Sequence, residues 1–454
     1  RFHLPVSSNG MSSEFVTTMA LGTPPVAFTA VVDTGSGLVW RQCAACNNLT
    51  NPNGDNGDNN STTTTAFGDG DGDGDGDGDG DGDGCYGQTD GTPIFDPASS
   101  STYRALRCND TLCTSLQSPG RQNVVSCNGS QVNANPTIDF PAIASLSAPG
   151  SCIYNYVYGD GDAFASGVFS TDVLTLMSTD HDNNNESTSS ESVIRVPDFA
   201  FGCGELDRAP DNFTGAAGVA GLSRSPLSLA SQLNLSQFSY CFRSDGSTSP
   251  LYLGPLLLLD DDDDDSSSSS TSTHTESAIC TTPILTNPSH PNLYYVNLTG
   301  ISIAGNRISD MPPSAFDLLP DGSGGTVIDS GTTLTFFPYS VYAPILNALL
   351  QFNASMPLSD PNPDFDLCYA NPGDVASMTL HFGYGSTTTN LTLPAENYFA
   401  SIDGYGYCLI LGLNFGTYSL LGNFLQQNFH VVYDLDALRI SFSAPSAASC
   451  GSFV

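Results

Sequence analysis

The chain has no lysine: its 11 basic residues other than histidine are all arginine, set against 47 acidic ones, for a formal net charge of −36. So little positive charge argues against nucleic acid or an anionic membrane as partner, because both need basic surface. Two readings of the shortage stand side by side. It limits the self-repulsion that unfolds many proteins when their carboxylates protonate, or it is a compositional habit of the lineage. No apolar run approaches 18 residues, so no membrane-spanning helix is predicted. The chain starts at Arg1 without an apolar leader core, so a leader or pro-segment is expected to have been removed or left out. Gly451-Ser452-Phe453-Val454 is no anchor tail. G-x-S-x-G and H-E-x-x-H are both missing, so serine-elbow and zinc-peptidase chemistry lack their minimum residues. Tryptophan occurs once, at Trp40.

Cysteine is plentiful, with 13 residues, of which seven fall between Cys43 and Cys152. Cys43-Ala44-Ala45-Cys46 has no second C-x-x-C at zinc-ribbon spacing and no histidine at finger spacing. A disulfide framework in a secretory-pathway protein is therefore the better reading. N-x-[ST] acceptor sequences support it, at Asn48, Asn59, Asn60, Asn109, Asn128, Asn185, Asn212, Asn234, Asn297, Asn353 and Asn390.

At 454 residues the chain can bury a large core and should form two or more domains. Apolar content of 39% with 10% aromatics fits a globular protein. Short runs rich in Val, Ile, Leu, Tyr, Phe and Thr sit between Gly, Pro, Asn and Asp, which predicts strands. Examples are Phe15 to Leu21, Ile153 to Tyr158, Val193 to Phe201, Tyr294 to Ile303 and His430 to Phe442. Helical patterns are confined to Pro226–Leu233 and Ser340–Gln351. The class is all-β with minor helix.

Three polar tracts interrupt it: Asp-Gly repeats at 69–84, an Asn/Ser/Glu-rich stretch at 181–192, and six Asp then five Ser at 260–270. They lack apolar residues and repel themselves, so loops are expected. The Asp-Gly repeat superficially resembles a calcium loop but lacks the twelfth-position Glu and flanking helices. No metal site is expected. The Asp/Ser tract follows a closing-strand pattern at Leu251-Tyr252-Leu253-Gly254. It suggests an N-terminal lobe at 1–255, a linker at 256–279 and a C-terminal lobe at 280–454.

Two segments resemble each other. Val31-Val32-Asp33-Thr34-Gly35-Ser36-Gly37 and Val327-Ile328-Asp329-Ser330-Gly331-Thr332-Thr333 lie about 300 residues apart. Each is a β-branched lead-in, then Asp, a hydroxyl residue, Gly and a second hydroxyl residue. One copy would read as an ordinary turn. Two copies predict a duplicated fold whose halves each present a carboxylate to a shared cleft. Gly35 and Gly331 permit a tight turn and let backbone N–H groups approach the carboxylate. Thr34 and Ser330 can bond across to the opposite loop, and Ser36 and Thr332 can bond the outer oxygen of their own Asp. Two close carboxylates cannot both ionise cheaply, so they share one proton. The ionised partner can activate water while the protonated one polarises an amide carbonyl.

These loops, with Tyr156-Val157-Tyr158-Gly159-Asp160-Gly161, Leu38-Val39-Trp40, Gly218-Val219-Ala220-Gly221-Leu222 and Ser419-Leu420-Leu421-Gly422-Asn423, resemble the pepsin-family aspartic endopeptidases. The cysteines resemble the plant nepenthesin-like branch within that family. The resemblance implies a bilobal all-β fold with the cleft between two barrel-like lobes, and catalytic Asp33 and Asp329. It implies a flap carrying Tyr158, Gly159 and Asp160, with Trp40 bonded to Tyr158, and psi-shaped loops completed by the two apolar-Gly segments. It implies a Cys-rich insertion holding Cys43, Cys46, Cys85, Cys108, Cys113, Cys127 and Cys152. Cys203, Cys241, Cys368, Cys408 and Cys450 complete twelve cysteines, with Cys368 paired to Cys408. Cys280 is left over, as a buried thiol or an interchain partner. The Asp-Gly tract departs from the branch's spacing and should lengthen the insertion. The branch also implies polypeptide substrates, a proteinaceous or statine-type inhibitor in the cleft, no cofactor, a monomer, and a secreted or vacuolar location. The rival expectation is a catalytically silent extracellular inhibitor or binding protein on the same fold.

Overall fold

A computed structural model describes residues 2–8, 14–44, 91–115, 123–126, 150–159, 163–180, 190–208, 215–255, 279–352, 357–358, 365–371, 373, 375–414 and 416–443. The Asp-Gly and Asp/Ser tracts lie outside these residues, as does 181–189 of the third tract.

Strands dominate, and the two halves repeat one arrangement. Val26–Asp33 runs antiparallel to Phe15–Leu21 and parallel to Gly218–Gly221, with Asp33 opposite Gly221. Gly218–Gly221 is antiparallel to Val39–Gln42, which runs parallel to the long strand Ser190–Arg208. The C-terminal half keeps the order with shorter strands. Thr326–Ile328 is antiparallel to Tyr295–Val296 and parallel to Ser419–Leu421. Ser419–Leu421 meets Thr335–Pro338 antiparallel, and that strand runs parallel to Leu411–Asn414. Every residue of Gly218–Gly221, Val39–Gln42 and Thr326–Ile328 is buried. Strands covered on both faces read as continuous apolar runs, which is why each Asp follows Val-Val or Val-Ile.

An antiparallel sheet of six strands joins the halves. Phe2–Ser8, Ser249–Leu253 and Gln237–Cys241 come from the first half. His430–Asp434, Arg439–Ser443 and Ile279–Leu285 come from the second, with Gln237–Cys241 paired to His430–Asp434 at the seam. Phe238, Tyr240, Val431 and Tyr433 are fully buried, at alternate positions on the two seam strands. Period-two alternation puts each strand's pair on one face, toward the core. The Phe238 and Tyr433 rings stack at 4.5 Å.

Phe15–Leu21 and Ile153–Tyr158 form strands with the predicted bounds. The pattern over Val193–Phe201 belongs to a longer strand, Ser190–Arg208. Tyr294–Ile303 breaks at Asn297 into Tyr295–Val296 and Leu298–Ile303. The helix expected over Ser340–Gln351 spans Tyr339–Phe352 and buries Val341, Tyr342, Ile345, Ala348 and Leu349 at helical spacing. The one expected over Pro226–Leu233 shrinks to Leu229–Gln232. Ser228 caps it by accepting from the Ser231 N–H, so the three residues from Pro226 precede the helix.

Three disulfides are resolved: Cys43–Cys203, Cys113–Cys152 and Cys368–Cys408. Cys43 thus bonds out of the insertion to the strand Ser190–Arg208, while Cys113–Cys152 closes within it. Cys368 and Cys408 face each other across an antiparallel pair, the pairing that the resemblance implied. Cys108 and Cys241 are disulfide-bonded as well. Cys280 is a buried free thiol. Cys46, Cys85, Cys127 and Cys450 lie outside the described residues, as do Asn48, Asn59, Asn60, Asn128, Asn185, Asn212 and Asn353.

Asn109, Asn234 and Asn390 are exposed acceptor sites. Asn297 is different. Its Nδ2 donates to the Gly383 carbonyl at 3.2 Å, and a methyl on Gly383 would sit 2.5 Å from that nitrogen. It is half-buried, unlike the other three. No helix among the described residues is long and apolar enough to cross a membrane.

Candidate active site

The two motif loops meet between the halves. The Thr34 N–H donates to Ser330 Oγ at 3.0 Å, and the Ser330 N–H donates to Thr34 Oγ1 at 2.9 Å. Ser330 Oγ also donates to the Val32 carbonyl at 2.7 Å. Thr34 and Ser330 are fully buried. Each hydroxyl residue therefore serves the opposite loop, as expected.

The glycines bring the carboxylates together. A Cβ on Gly35 would lie 2.4 Å from Asp329 Oδ2, and one on Gly331 would lie 2.3 Å from Asp33 Oδ1. No real Cβ tolerates such a contact, so each aspartate occupies space that the other loop's glycine leaves free. Within each loop the geometry repeats. The Gly35 N–H donates to Asp33 Oδ1 at 2.8 Å, and the Gly331 N–H donates to Asp329 Oδ1 at 2.8 Å. The two carboxyls are within hydrogen-bonding reach of each other.

Their surroundings differ. Asp33 is only 6% exposed, while Asp329 is half-buried. Thr332 Oγ1 donates to Asp329 Oδ2 at 2.8 Å. Ser36, in the matching position, lies near enough to Asp33 to favour its carboxylate form, yet its buried hydroxyl closes no well-formed hydrogen bond. Burial, and then the Asp329 charge, push the Asp33 carboxyl well above the ordinary range. Two carboxyls so placed share one proton.

The strand Ile153–Tyr158 closes the N-terminal side. Trp40 Nε1 donates to Tyr158 Oη at 2.6 Å. The Gly37 N–H, just past the Asp33 turn, donates to Tyr156 Oη at 3.0 Å. The two tyrosine rings lie 5.0 Å apart, one step of strand period along the same face. Burial, the Tyr156 hydroxyl and the Asp33 charge hold the Tyr158 hydroxyl protonated, so it can donate. Gly159 starts the hairpin tip with φ of +57°, and Asp160 lies outside the described residues.

Other groups support the loops without a local sequence signal. Gln426 Nε2 donates to the Asp329 carbonyl at 3.1 Å, and Asn423 Nδ2 donates to the Ser330 carbonyl at 3.1 Å. Both stand on the short helix Asn423–Gln426 that follows Ser419–Leu421. On the other side, the Leu222 N–H donates to the Asp33 carbonyl at 2.7 Å. Among the described residues no cluster of His, Cys, Asp and Glu could hold a metal ion.

The chain is similar to known proteins. Residues 15–71 and 81–255 match the family described as "Xylanase inhibitor N-terminal", and residues 293–444 match "Xylanase inhibitor C-terminal". The chain is 30% identical over 448 residues to "Aspartic proteinase nepenthesin-1" of Nepenthes gracilis, covering 97% of this chain and 78% of that protein. It is 30% identical over 448 residues to "Aspartyl protease family protein 2" of Arabidopsis thaliana, covering 96% and 72%. Among solved structures, edgp superposes with a TM-score of 0.65 at 20% identity, covering 100% of this chain and 97% of that one. Soybean Basic 7S globulin superposes with a TM-score of 0.65 at 18% identity, covering 100% and 99%. At such identities the two structures share the fold.

Proposed function

Because the chain belongs to the pepsin family, in its plant nepenthesin-like branch, we propose that it is an aspartic endopeptidase hydrolysing internal peptide bonds of polypeptides at acidic pH. The observation that carries this reading is the reciprocal contact of Gly35 with the Asp329 carboxylate and of Gly331 with the Asp33 carboxylate. It makes Asp33 and Asp329 one proton-sharing unit.

Asp329, half-buried, accepts hydrogen bonds from the Gly331 N–H and the Thr332 hydroxyl, which suits it to the role of base. It takes a proton from a water that attacks the scissile carbonyl. Asp33, whose proton is retained by burial, donates to the carbonyl oxygen. The product is a gem-diol, and its collapse returns the protons to amine and dyad without an acyl-enzyme. Thr34, Gly35, Ser36, Ser330, Gly331 and Thr332 keep the carboxylates facing each other. Tyr158, fixed by Trp40, covers an extended substrate and excludes water. The disulfides support passage through the secretory pathway, toward extracellular fluid or vacuole.

A second reading, an inhibitor or binding protein without turnover, draws support from the description of the matched family. Intact Asp loops, Tyr158 and Trp40 weigh against it. Digestion of denatured globin at low pH separates the two. The enzyme should cleave it, lose that activity to a statine-type transition-state analogue, and lose it in Asp33→Ala and Asp329→Ala. A folded protein that leaves globin whole at every acidic pH sinks the endopeptidase reading.

A further inference from the structure

Three tyrosines lie beneath the dyad, and their hydroxyls cross from one half to the other. Tyr294, of the C-terminal half, donates to the Leu222 carbonyl of the N-terminal half at 2.9 Å. The N–H of that same Leu222 holds the Asp33 carbonyl. Tyr240, of the N-terminal half, donates to Gln426 Oε1 of the C-terminal half. The amide of that same Gln426 holds the Asp329 carbonyl and, at 3.0 Å, the Leu421 carbonyl. Two carbonyls on the Nε2 side fix the amide's orientation, so Oε1 is the acceptor and Tyr240 the donor. The Tyr240 oxygen then accepts from Tyr433, 3.0 Å away.

Tyr433 binds the set together. Its ring packs edge-on against Tyr294 at 4.8 Å and lies 5.8 Å from Tyr240, and its hydroxyl faces that of Thr34. All three rings are buried at 0% exposure. Burial raises the pKa of all three hydroxyls well above the ordinary tyrosine value, so each remains a donor throughout the working pH range.

We propose that Tyr240 and Tyr294 are crossed positioning residues: each steadies the catalytic loop of the half to which it does not belong. Tyr240 acts on the Asp329 loop through Gln426, and Tyr294 acts on the Asp33 loop through Leu222. Tyr433 couples the two. The term "positioning" for catalysis rests on the endopeptidase reading, but the crossed bracing does not.

Tyr240→Phe and Tyr294→Phe keep the ring packing and delete one hydroxyl each. Amide hydrogen exchange, followed in peptides covering 32–37 and 328–333 of the full chain, reads the bracing without needing turnover. Tyr240→Phe should speed exchange at 328–333 by about tenfold and leave 32–37 near the parent rate; Tyr294→Phe should do the converse. If each variant loosens its own half, or both loops alike, or neither, the proposal is overturned. On denatured globin each variant should lower kcat roughly tenfold with KM within about twofold, as expected when a loop is displaced and no substrate contact is lost. A parent protein that never cleaves globin but shows the crossed exchange pattern retains the bracing and loses the endopeptidase reading.

Discussion

The Asp33 and Asp329 loops share a backbone plan and differ in what surrounds them. Both end a buried strand, both donate a glycine N–H to Oδ1 at 2.8 Å, and both exchange hydroxyl contacts with the other. Around Asp33 lie the flap strand, Tyr156, Tyr158 and Trp40. Asp329 has Thr332 on its outer oxygen and the side chain of Gln426 on its own carbonyl. Repetition of the fold supplies the symmetry that brings two carboxylates face to face. The unequal cover then gives the two carboxyls different settings, the deeper burial on the Asp33 side raising that group above the ordinary range.

The largest effect should come from removing one charge at a time. Asp33→Asn and Asp329→Asn should each lower kcat on denatured globin by at least about 10³-fold, since the pair acts as a unit. Thermal melts at pH 4 should show that the folds persist. A residual activity near the parent's in either variant contradicts a shared role.

The pH dependence tests whether the pair must hold a proton. Turnover should fall as pH rises and the dyad loses its last proton, and a rate flat up to neutral pH counts against the assignment. Stability should follow the same direction. Burial pushes Glu14 up to about 8 and Glu205 up to about 7, and Asp33 is raised with them. Below about pH 4 folded and unfolded chains both hold these protons, and the stabilisation is complete. As pH rises the unfolded chain releases them first, so stability is lost up to pH 7–8, where the folded groups ionise. The melting temperature should drop by at least about 5 °C between pH 4 and pH 8. Glu14→Gln should flatten that slope; an unchanged slope means that Glu14 titrates normally.

The flap sets the halves apart, because Tyr156 and Tyr158 accept from Gly37 and Trp40 of the N-terminal side. Trp40→Phe deletes the donor to Tyr158 and should lower kcat/KM roughly tenfold. Tyr158→Phe should give a similar loss, and the double variant little more than either alone. Fully additive losses would separate the two residues.

The smallest expected effect concerns the outer hydroxyls. Thr332→Val should cost about 1 kcal/mol of transition-state stabilisation, a loss of a few-fold in kcat/KM. Ser36→Ala should change it by less than about twofold, since Ser36 closes no good bond with Asp33. Equal losses would make the two loops equivalent in this respect.

Where structure follows from neighbours along the chain, it was readable. Phe15–Leu21 and Ile153–Tyr158 are short runs rich in apolar, aromatic and β-branched residues, and both stand where the pattern puts them. The Asp loops could be read because strand, Asp and glycine are contiguous in each copy. Gln426, Tyr240, Tyr294 and Tyr433 could not be read in this way. Their hydrogen bonds to Leu222, to the Asp329 carbonyl and to one another span 72 to 193 residues, and a buried tyrosine has the same strand pattern whether or not its hydroxyl has a partner. Ser36 shows the opposite failure. Its place in the motif matches that of Thr332, but a hydrogen bond depends on tenths of an ångström that a motif does not encode. The shortened helix at Leu229–Gln232 has a local cause, a serine cap placed after the apolar pattern has begun.

Gly35 and Gly331 each keep clear the space filled by the other half's aspartate. Copies of a duplicated segment ordinarily gain licence to drift apart, one free to change while the other maintains the original task. Here that licence stops at these two codons. A side chain gained at either glycine injures the partner copy before it injures its own, so neither can be relieved by keeping the other intact. The contact that turns two half-sites into one also binds their inheritance together.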